Sequence, residues 1–422
     1  MILPGLAQGR LREAHLLSEG RLGRALDLLK VAGEETRLVG GAVRDLLLGL
    51  APGDFDLATT LSPARVIACA HKAGVNVAPT GLAHGTVTLI IEGAPIETTT
   101  LRQDIATDGR HATVAFGRDF AADARRRDFT INALSADCDG VVHDSVGGLD
   151  DLAQRRVRFV GQARARIRED FLRSLRFFRF SARYGEGRLD AEGFRAAVQE
   201  RAGLRQLSRE RVRAELLKLL VAPRAPEIVG ELCDAGLLSD LIAGAPDSGR
   251  LQRLARIEAQ RDSPADGLLR LAALALVTRD DAQRLGERLR LSKAETSRLD
   301  NAAAILEITH NLREAPPLAD LRVLLFQHGR VAALDALALM QADIGPLHDG
   351  RNFASAARFL KDAPDLALPF TGADIVARGI SQGQRVGAVL KKLQALWIRA
   401  GFPKAPNRLA NLLDEAMKDA EP

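Results

Sequence analysis

Two carboxylates, Asp54 and Asp56, stand on either side of Phe55. In a strand, residues two apart point to one face, and like charges held side by side repel unless a cation lies between them. Hard oxygen ligands of this kind suit Mg²⁺, which keeps several waters and takes further ligands from substrate phosphates. Asp54 and Asp56 are therefore the candidate metal ligands and catalytic carboxylates. Upstream, Leu38-Val39-Gly40-Gly41-Ala42-Val43-Arg44-Asp45 reads as an apolar strand end running through paired glycines into a helix. Backbone N–H groups at such a turn close on a phosphate, and the helix N-terminus favours the negative charge. Arg44, about one turn into that helix, is placed to clamp a triphosphate oxygen. A third carboxylate, Glu97, lies mid-strand in Pro95-Ile96-Glu97-Thr98-Thr99-Thr100 and faces away from Ile96. It either completes the metal site, activates an attacking hydroxyl, or is an ordinary exposed strand residue. In Arg125-Arg126-Arg127-Asp128-Phe129-Thr130-Ile131-Asn132-Ala133-Leu134, arginines precede an amide near what reads as a helix start. That set can hold triphosphate and ribose oxygens, or it is a solvated turn.

The elements that must position these groups fall into three regions, with proposed boundaries at 1–160, 161–240 and 241–422. In the first, short β-like runs alternate with helical segments and glycine turns. Val87 to Ile91 and Ile96 to Leu101 read as a hairpin around Glu92-Gly93, Phe129 to Leu134 opens a helix, and Arg102 to Gly117 looks like a mobile loop. Beyond Gly161 the strand signals nearly vanish. Ala163 to Tyr184 reads as one helix closed by Gly185. At helical period, Phe171, Leu175, Phe178 and Ala182 share one face, while Arg173, Arg176, Arg179 and Arg183 share another, with Asp170 one turn before Arg173. From about Leu204 onward the pattern is helical and rich in Leu, Ala and Arg, with breaks near Pro223, Gly244 to Pro246, Pro316-Pro317 and Asp362 to Pro369.

Composition narrows the class. Of the 422 residues, 46% are hydrophobic and 27% charged, which suits a folded chain of about three domains. No run of roughly 18 apolar residues offers a membrane span, and charges interrupt the N-terminus where a signal peptide needs an apolar core. A cytoplasmic protein is the expectation. Cys69, Cys138 and Cys233 are too few and too scattered for a disulfide framework or a zinc spacing. The net charge is only +5, but Arg155 to Arg183 holds ten arginines against Glu169 and Asp170. Such a stripe suits a polyanion, or is a solvated helical face. Of two His-Asp pairs, His143-Asp144 lies in a glycine-containing motif and His348-Asp349 reads as a surface turn.

In series, these motifs resemble the bacterial CCA-adding enzyme and poly(A) polymerase family, the class II branch of the polymerase-beta-like nucleotidyltransferases. The matching order runs from Gly40-Gly41-Ala42-Val43-Arg44-Asp45 through Asp54-x-Asp56 and Arg126-Arg127-Asp128-Phe129-Thr130-Ile131-Asn132-Ala133-Leu134. It continues through Asp144-x-x-Gly147-Gly148-x-x-Asp151-Leu152, Glu169-Asp170-x-x-Arg173 and Leu207-Ser208-Arg209-Glu210-Arg211, covering roughly residues 37 to 220. The resemblance implies an α+β fold, with a nucleotidyltransferase head followed by an all-helical neck, body and tail. It implies that Asp54 and Asp56 bind metal, that Gly41 and Arg44 contact the incoming nucleotide's phosphates, and that Arg127 belongs to the nucleotide pocket. Asp170 and Arg173 then read the base, with Arg176 and Arg179 completing the pocket. Physically, a carboxylate accepts from the amino group of adenine or cytosine while a guanidinium donates to the neighbouring ring acceptor. A carbonyl on guanine or uracil would face Asp170 acceptor to acceptor. Asp170 and Arg173 are also spaced for a local salt bridge. The implied activity is addition of C, C and A to a tRNA 3′ end from CTP and ATP with release of pyrophosphate, using Mg²⁺ in a two-metal mechanism. Poly(A) addition, or an RNA-binding protein with an inactive transferase-like head, are the alternatives.

Overall fold

In the computed structural model, the described residues are 11, 14–78, 81–82, 85–108, 111–344, 351–380 and 383–418. They form two compact units, Met1–Leu237 and Leu238–Pro422. The first is built on a seven-stranded sheet. Its strands are β1 (Thr36–Val39), β2 (Asp56–Thr59), β3 (Asn76–Ala78), β4 (Thr86–Ile91) and β5 (Ala94–Thr100), closed by β8 (Ser135–Ala136) and β9 (Val142–His143). The spatial order is β3-β4-β5-β2-β1-β8-β9, and every pairing is antiparallel except β2 with β5. The β4–β5 hairpin turns at Glu92-Gly93, where both residues have positive φ, 54° and 76°, as a type I′ turn demands. Helices α1 (Gly20–Leu28), α2 (Gly41–Leu47), α3 (Pro63–Lys72), α4 (Phe120–Arg126) and α5 (Gly148–Ala153) accompany the sheet.

Four local expectations are corrected here. Arg102 to Gly117 is a hairpin, β6 (Arg102–Asp108) with β7 (His111–Phe116), its register shifting between Asp104 and Ala106. Phe129 to Leu134 opens no α-helix: it makes a single 3-10 turn, Thr130–Asn132, and passes into β8. Long-range pairing overrides helical pattern there. Phe129 bridges Phe159, the Thr130 N–H donates to the Arg158 carbonyl, and Ser135 pairs with Val39. The arginines before it lie at the end of α4, not at a helix start. Asp54, finally, sits in the loop ahead of β2, which begins at Asp56.

The glycine-containing motif after β9 serves this turn. Asp144 accepts the N–H groups of Val146, Gly147 and Leu149 at 2.9–3.0 Å, capping the start of α5. Buried Asp151 accepts the Thr130 hydroxyl at 2.6 Å and pairs with Arg156 and Arg158. A Cβ on Gly148 would stand 2.2 Å from the Thr130 carbonyl oxygen, so only glycine lets α5 approach. Gly148→Ala is expected to destabilise by about 2–3 kcal/mol through overpacking, lowering the melting temperature by about 5–10 °C; an unchanged melt would show that the approach is not required.

After Gly161 come α6 (Ala163–Glu169), α7 (Leu172–Tyr184), α8 (Ala191–Gln199), α9 (Arg209–Leu220) and α10 (Ala225–Asp234). The expected single helix from Ala163 to Tyr184 is broken at Asp170, whose extended backbone (φ −155°, ψ 107°) ends α6. Its carboxylate then accepts the Leu172 N–H at 3.1 Å at the start of α7. Leu175, Phe178 and Ala182 are buried as expected and Phe171 partly so. Phe177, Phe180 and Tyr184 are buried as well, joining Phe129 and Phe159 in an aromatic cluster with centroids 4.8–6.5 Å apart. This cluster fixes α7 to the turn after α4.

The second unit is helical, from Ser239–Ile242 to Pro406–Met417; breaks between helices fall at Gly244 to Pro246, Pro316-Pro317 and Asp362 to Pro369 as expected, and further ones, such as those after Gln260, Ala275 and Leu289, were not expected. Its interior holds ion pairs, including Arg298 bridging Asp266 and Asp335. A C-terminal cluster of Ile375, Val389, Leu393, Leu413 and Ala416 packs the last helices together. No helix among the described residues is long and apolar enough to cross a membrane. His348-Asp349 lies outside the described residues.

Candidate active site

Register brings the first group of residues together. Asp56 opposes Val39, the last residue of β1, on one side and Glu97 of β5 on the other. The end of β1 runs directly into Gly40, whose φ of 74° and whose hydrogen bond to the Leu134 carbonyl turn the chain sharply into α2. A Cβ at Gly40 would lie 2.6 Å from a guanidinium nitrogen of Arg127. Arg127, held by Asp123 and donating to the Asn132 carbonyl, therefore lies against this turn. The carboxyl of Asp56 is raised above the ordinary aspartate range by the protein crowding around it, and further by the negative charges of Glu97 and Asp54, with Arg127 opposing them. These are strained like charges, and a cation would relieve them. Among the described residues no group of three or more His, Cys, Asp or Glu side chains forms a self-sufficient metal cage.

A cavity of about 750 Å³ extends from this sheet end along α7. Of the residues singled out in the sequence, Gly41, Arg44, Asp54, Asp56, Arg127, Asp170, Arg173, Arg176 and Arg179 line it; Glu97 does not, being exposed on β5 beside Asp56. Arg44 is buried and largely committed to protein acceptors. It pairs with Asp45, donates to the Asn132 side-chain oxygen and to the Tyr184 hydroxyl (2.6 Å), and lies 3.9 Å over the Tyr184 ring. It ties α2, the 3-10 turn and α7 to one another while facing the cavity.

Two arginines of the α7 row are held by carboxylates that lie far away in sequence. Arg176 makes two bonds to Asp128, at 2.8 and 2.6 Å, and Arg179 pairs with Glu215 of α9 at 2.6 Å. Burial pushes the Asp128 carboxyl up, but Arg176, the Asn132 amide and the Phe129 N–H outweigh it and hold the group below its ordinary range. Arg173 pairs with Glu169 at 2.5 Å and Asp170 with Arg211 of α9 at 2.7 Å. The expected local Asp170–Arg173 salt bridge is thus not made, because each side chain finds another partner. Elsewhere in the stripe, Arg164 and Arg168 share Glu200, and Arg156 and Arg158 share Asp151. The stripe is far less positive in the fold than in the sequence.

Sequence reasoning gave no role to Glu215 or Tyr184. Glu215 did leave a signal. It interrupts the apolar row Val212, Leu216, Leu219 on the buried side of α9, where a carboxylate survives only if paired.

The family described as the poly A polymerase head domain matches residues 36–158, and that described as a probable RNA and SrmB-binding site of polymerase A matches residues 188–246. The mitochondrial CCA tRNA nucleotidyltransferase 1 of Mus musculus is 32% identical over 405 residues, covering 94% of this chain and 90% of that protein. The CCA-adding enzyme of Geobacillus thermodenitrificans is 40% identical over 225 residues, covering 53% of this chain and 54% of that one. The crystal structure of the Bacillus stearothermophilus CCA-adding enzyme in complex with CTP matches with a TM-score of 0.69 at 27% identity, over 94% of this chain and 97% of that one. With identity of this order sustained across nearly the whole chain, this protein belongs to the CCA-adding enzyme and poly(A) polymerase family, nucleotidyltransferases of the polymerase-beta type that are generally metal-dependent.

Proposed function

We propose that this chain adds C, C and A to the 3′ end of tRNA from CTP and ATP, without a nucleic-acid template. The observation that carries the reading is a single cavity with the Asp54/Asp56 carboxylates at one part of its wall and Asp170 and Arg173, at the start of α7, at another. One nucleoside triphosphate spanning it would place its triphosphate at the Gly40-Gly41 turn and its base against α7. The names of the relatives, and the CTP bound in the Bacillus stearothermophilus enzyme, support the same assignment.

In the reaction the RNA 3′-hydroxyl oxygen attacks the α-phosphorus and loses its proton to water. The bond from the α-phosphorus to the bridging oxygen breaks, and pyrophosphate leaves with that electron pair. Asp54 and Asp56 would hold Mg²⁺, for which a carboxylate pair that leaves positions for water and phosphate oxygens is the fitting donor set. A cation held there would supply charge stabilisation at the attacking and leaving oxygens. Glu97 adds negative charge beside Asp56 and so strengthens the pull on a cation. The Gly40-Gly41 turn and Arg127 orient the triphosphate. Asp170 and Arg173 select the base, Arg176 and Arg179 set the wall behind them, and most of the rate comes from positioning and preorganised charge.

Residues 1–160 act as the catalytic head, 161–240 as the base-reading neck, and 241–422 as the body and tail that bind tRNA by shape and phosphate contact; the protein works in the cytoplasm. A gel extension assay with Mg²⁺ and a tRNA transcript ending at the discriminator base tests the reading. Two additions with CTP, and a third only when ATP is also present, are expected. A long ladder with ATP alone would make the chain a poly(A) polymerase, and no extension would favour the inactive, RNA-binding alternative.

A further inference from the structure

The arginines that line the cavity differ in one respect that the sequence does not display. Arg44 has Asp45, Arg126 and Arg127 share Asp123, Arg173 has Glu169, Arg176 has Asp128, Arg179 has Glu215 and Arg211 has Asp170. Arg183, alone among these lining arginines, has no carboxylate within ion-pairing distance among the described residues. It is exposed, its guanidinium lies 5.3 Å from the centre of the Tyr184 ring, and it sits in the last turn of α7. From Arg173 to Arg183 the helix rises about 15 Å, so this charge stands well away from the base-reading end.

We infer that Arg183 is a phosphate-binding residue for the acceptor RNA, holding a backbone phosphate next to the 3′ end while the nucleotide occupies the rest of the cavity. The inference rests on the function proposed above. Phosphate is the ligand chemistry because an exposed, uncompensated guanidinium recognises it with paired donors at no cost of breaking an existing ion pair. The RNA, not the triphosphate, is the source because the Gly40-Gly41 turn, Arg127 and the cation that Asp54 and Asp56 would hold serve the triphosphate at the sheet end. Tyr184, buried and bonded to Arg44, fixes the end of α7, so Arg183 projects from a rigid support.

The test measures binding of tRNA lacking CCA to the full chain by fluorescence anisotropy across a salt series, for wild type, Arg183→Ala and Arg183→Lys. The CTP KM is measured for each alongside. For Arg183→Ala we expect affinity at low salt to fall about three- to tenfold and the salt slope to shrink by about 0.7–0.9, the loss of one phosphate contact. Arg183→Lys should keep the slope, and the CTP KM should stay within about twofold throughout. A raised CTP KM with unchanged RNA binding would assign the residue to the triphosphate and overturn the inference, as would no change in either quantity. If wild type itself bound tRNA without a steep salt dependence, the functional reading would fail instead.

Discussion

Asp56→Asn is expected to abolish nucleotide addition and yet to raise the melting temperature of the metal-free protein by about 1–2 °C. Both effects follow from one arrangement. Asp56 faces Glu97 across the parallel β2–β5 pairing and lies near Asp54, and its crowded carboxyl is raised above the ordinary value of 3.8. A carboxyl raised in the folded state favours its neutral form, so at neutral pH its ionisation works against folding. Asparagine removes that charge without changing shape. The sign can be checked against pH. The stability gap between variant and wild type should be full at neutral pH, narrow as pH falls through the raised pKa, and vanish below the unfolded value. Without the carboxylate, a cation at the sheet end loses a ligand, and single-turnover extension should fall by at least about a thousandfold while tRNA affinity stays within about twofold. A variant that kept its activity, or that melted earlier than wild type in chelator, would sink the assignment.

How much of this was legible beforehand depended on the sequence distance of the interactions involved. The Glu92-Gly93 hairpin and the strand–glycine–helix passage at Gly40-Gly41 are local, and the sequence carried both. Asp54 and Asp56 were singled out by their spacing, although Asp54 precedes the strand and does not lie in it. What was missed at the turn and along the arginine row involves partners tens of residues apart. The 3-10 turn at Thr130 is imposed by Phe159, Arg158 and Asp151. The arginines of α7 looked like an open basic stripe because Asp128 and Glu215, which neutralise two of them, are 48 and 36 residues away. Helical periodicity placed the correct faces on α7 but could not register that Asp170 breaks the helix. Aspartate accepts backbone N–H groups at a cap as readily as it pairs with an arginine one turn on. The Arg102–Gly117 hairpin was read as a loop because glycine and charged residues obscured its alternation.

Asp170→Asn is the second large effect expected, and it falls on selectivity instead of rate. Asp170 presents only acceptors, which suits the amino groups of cytosine and adenine. Asparagine offers both an acceptor and a donor, so the carbonyl of uracil or guanine can be accommodated. A matched polar contact to a base is worth about 1–3 kcal/mol. The ratio of kcat/KM for CTP over UTP on tRNA ending at the discriminator base should therefore fall about 10- to 100-fold. The ATP over GTP ratio on tRNA ending in CC should fall similarly. Asparagine is preferable to alanine because the Asp170 carboxylate also accepts the Leu172 N–H at the start of α7, a bond that an amide oxygen preserves. The half-exposed pair with Arg211 is worth under about 1 kcal/mol, so the melting temperature should move by less than about 3 °C. A selectivity loss without unfolding would place Asp170 at the base. An unchanged ratio would mean that the carboxylate serves only to break and cap the helix, and base choice would have to be sought among Arg173, Arg176 and Arg179.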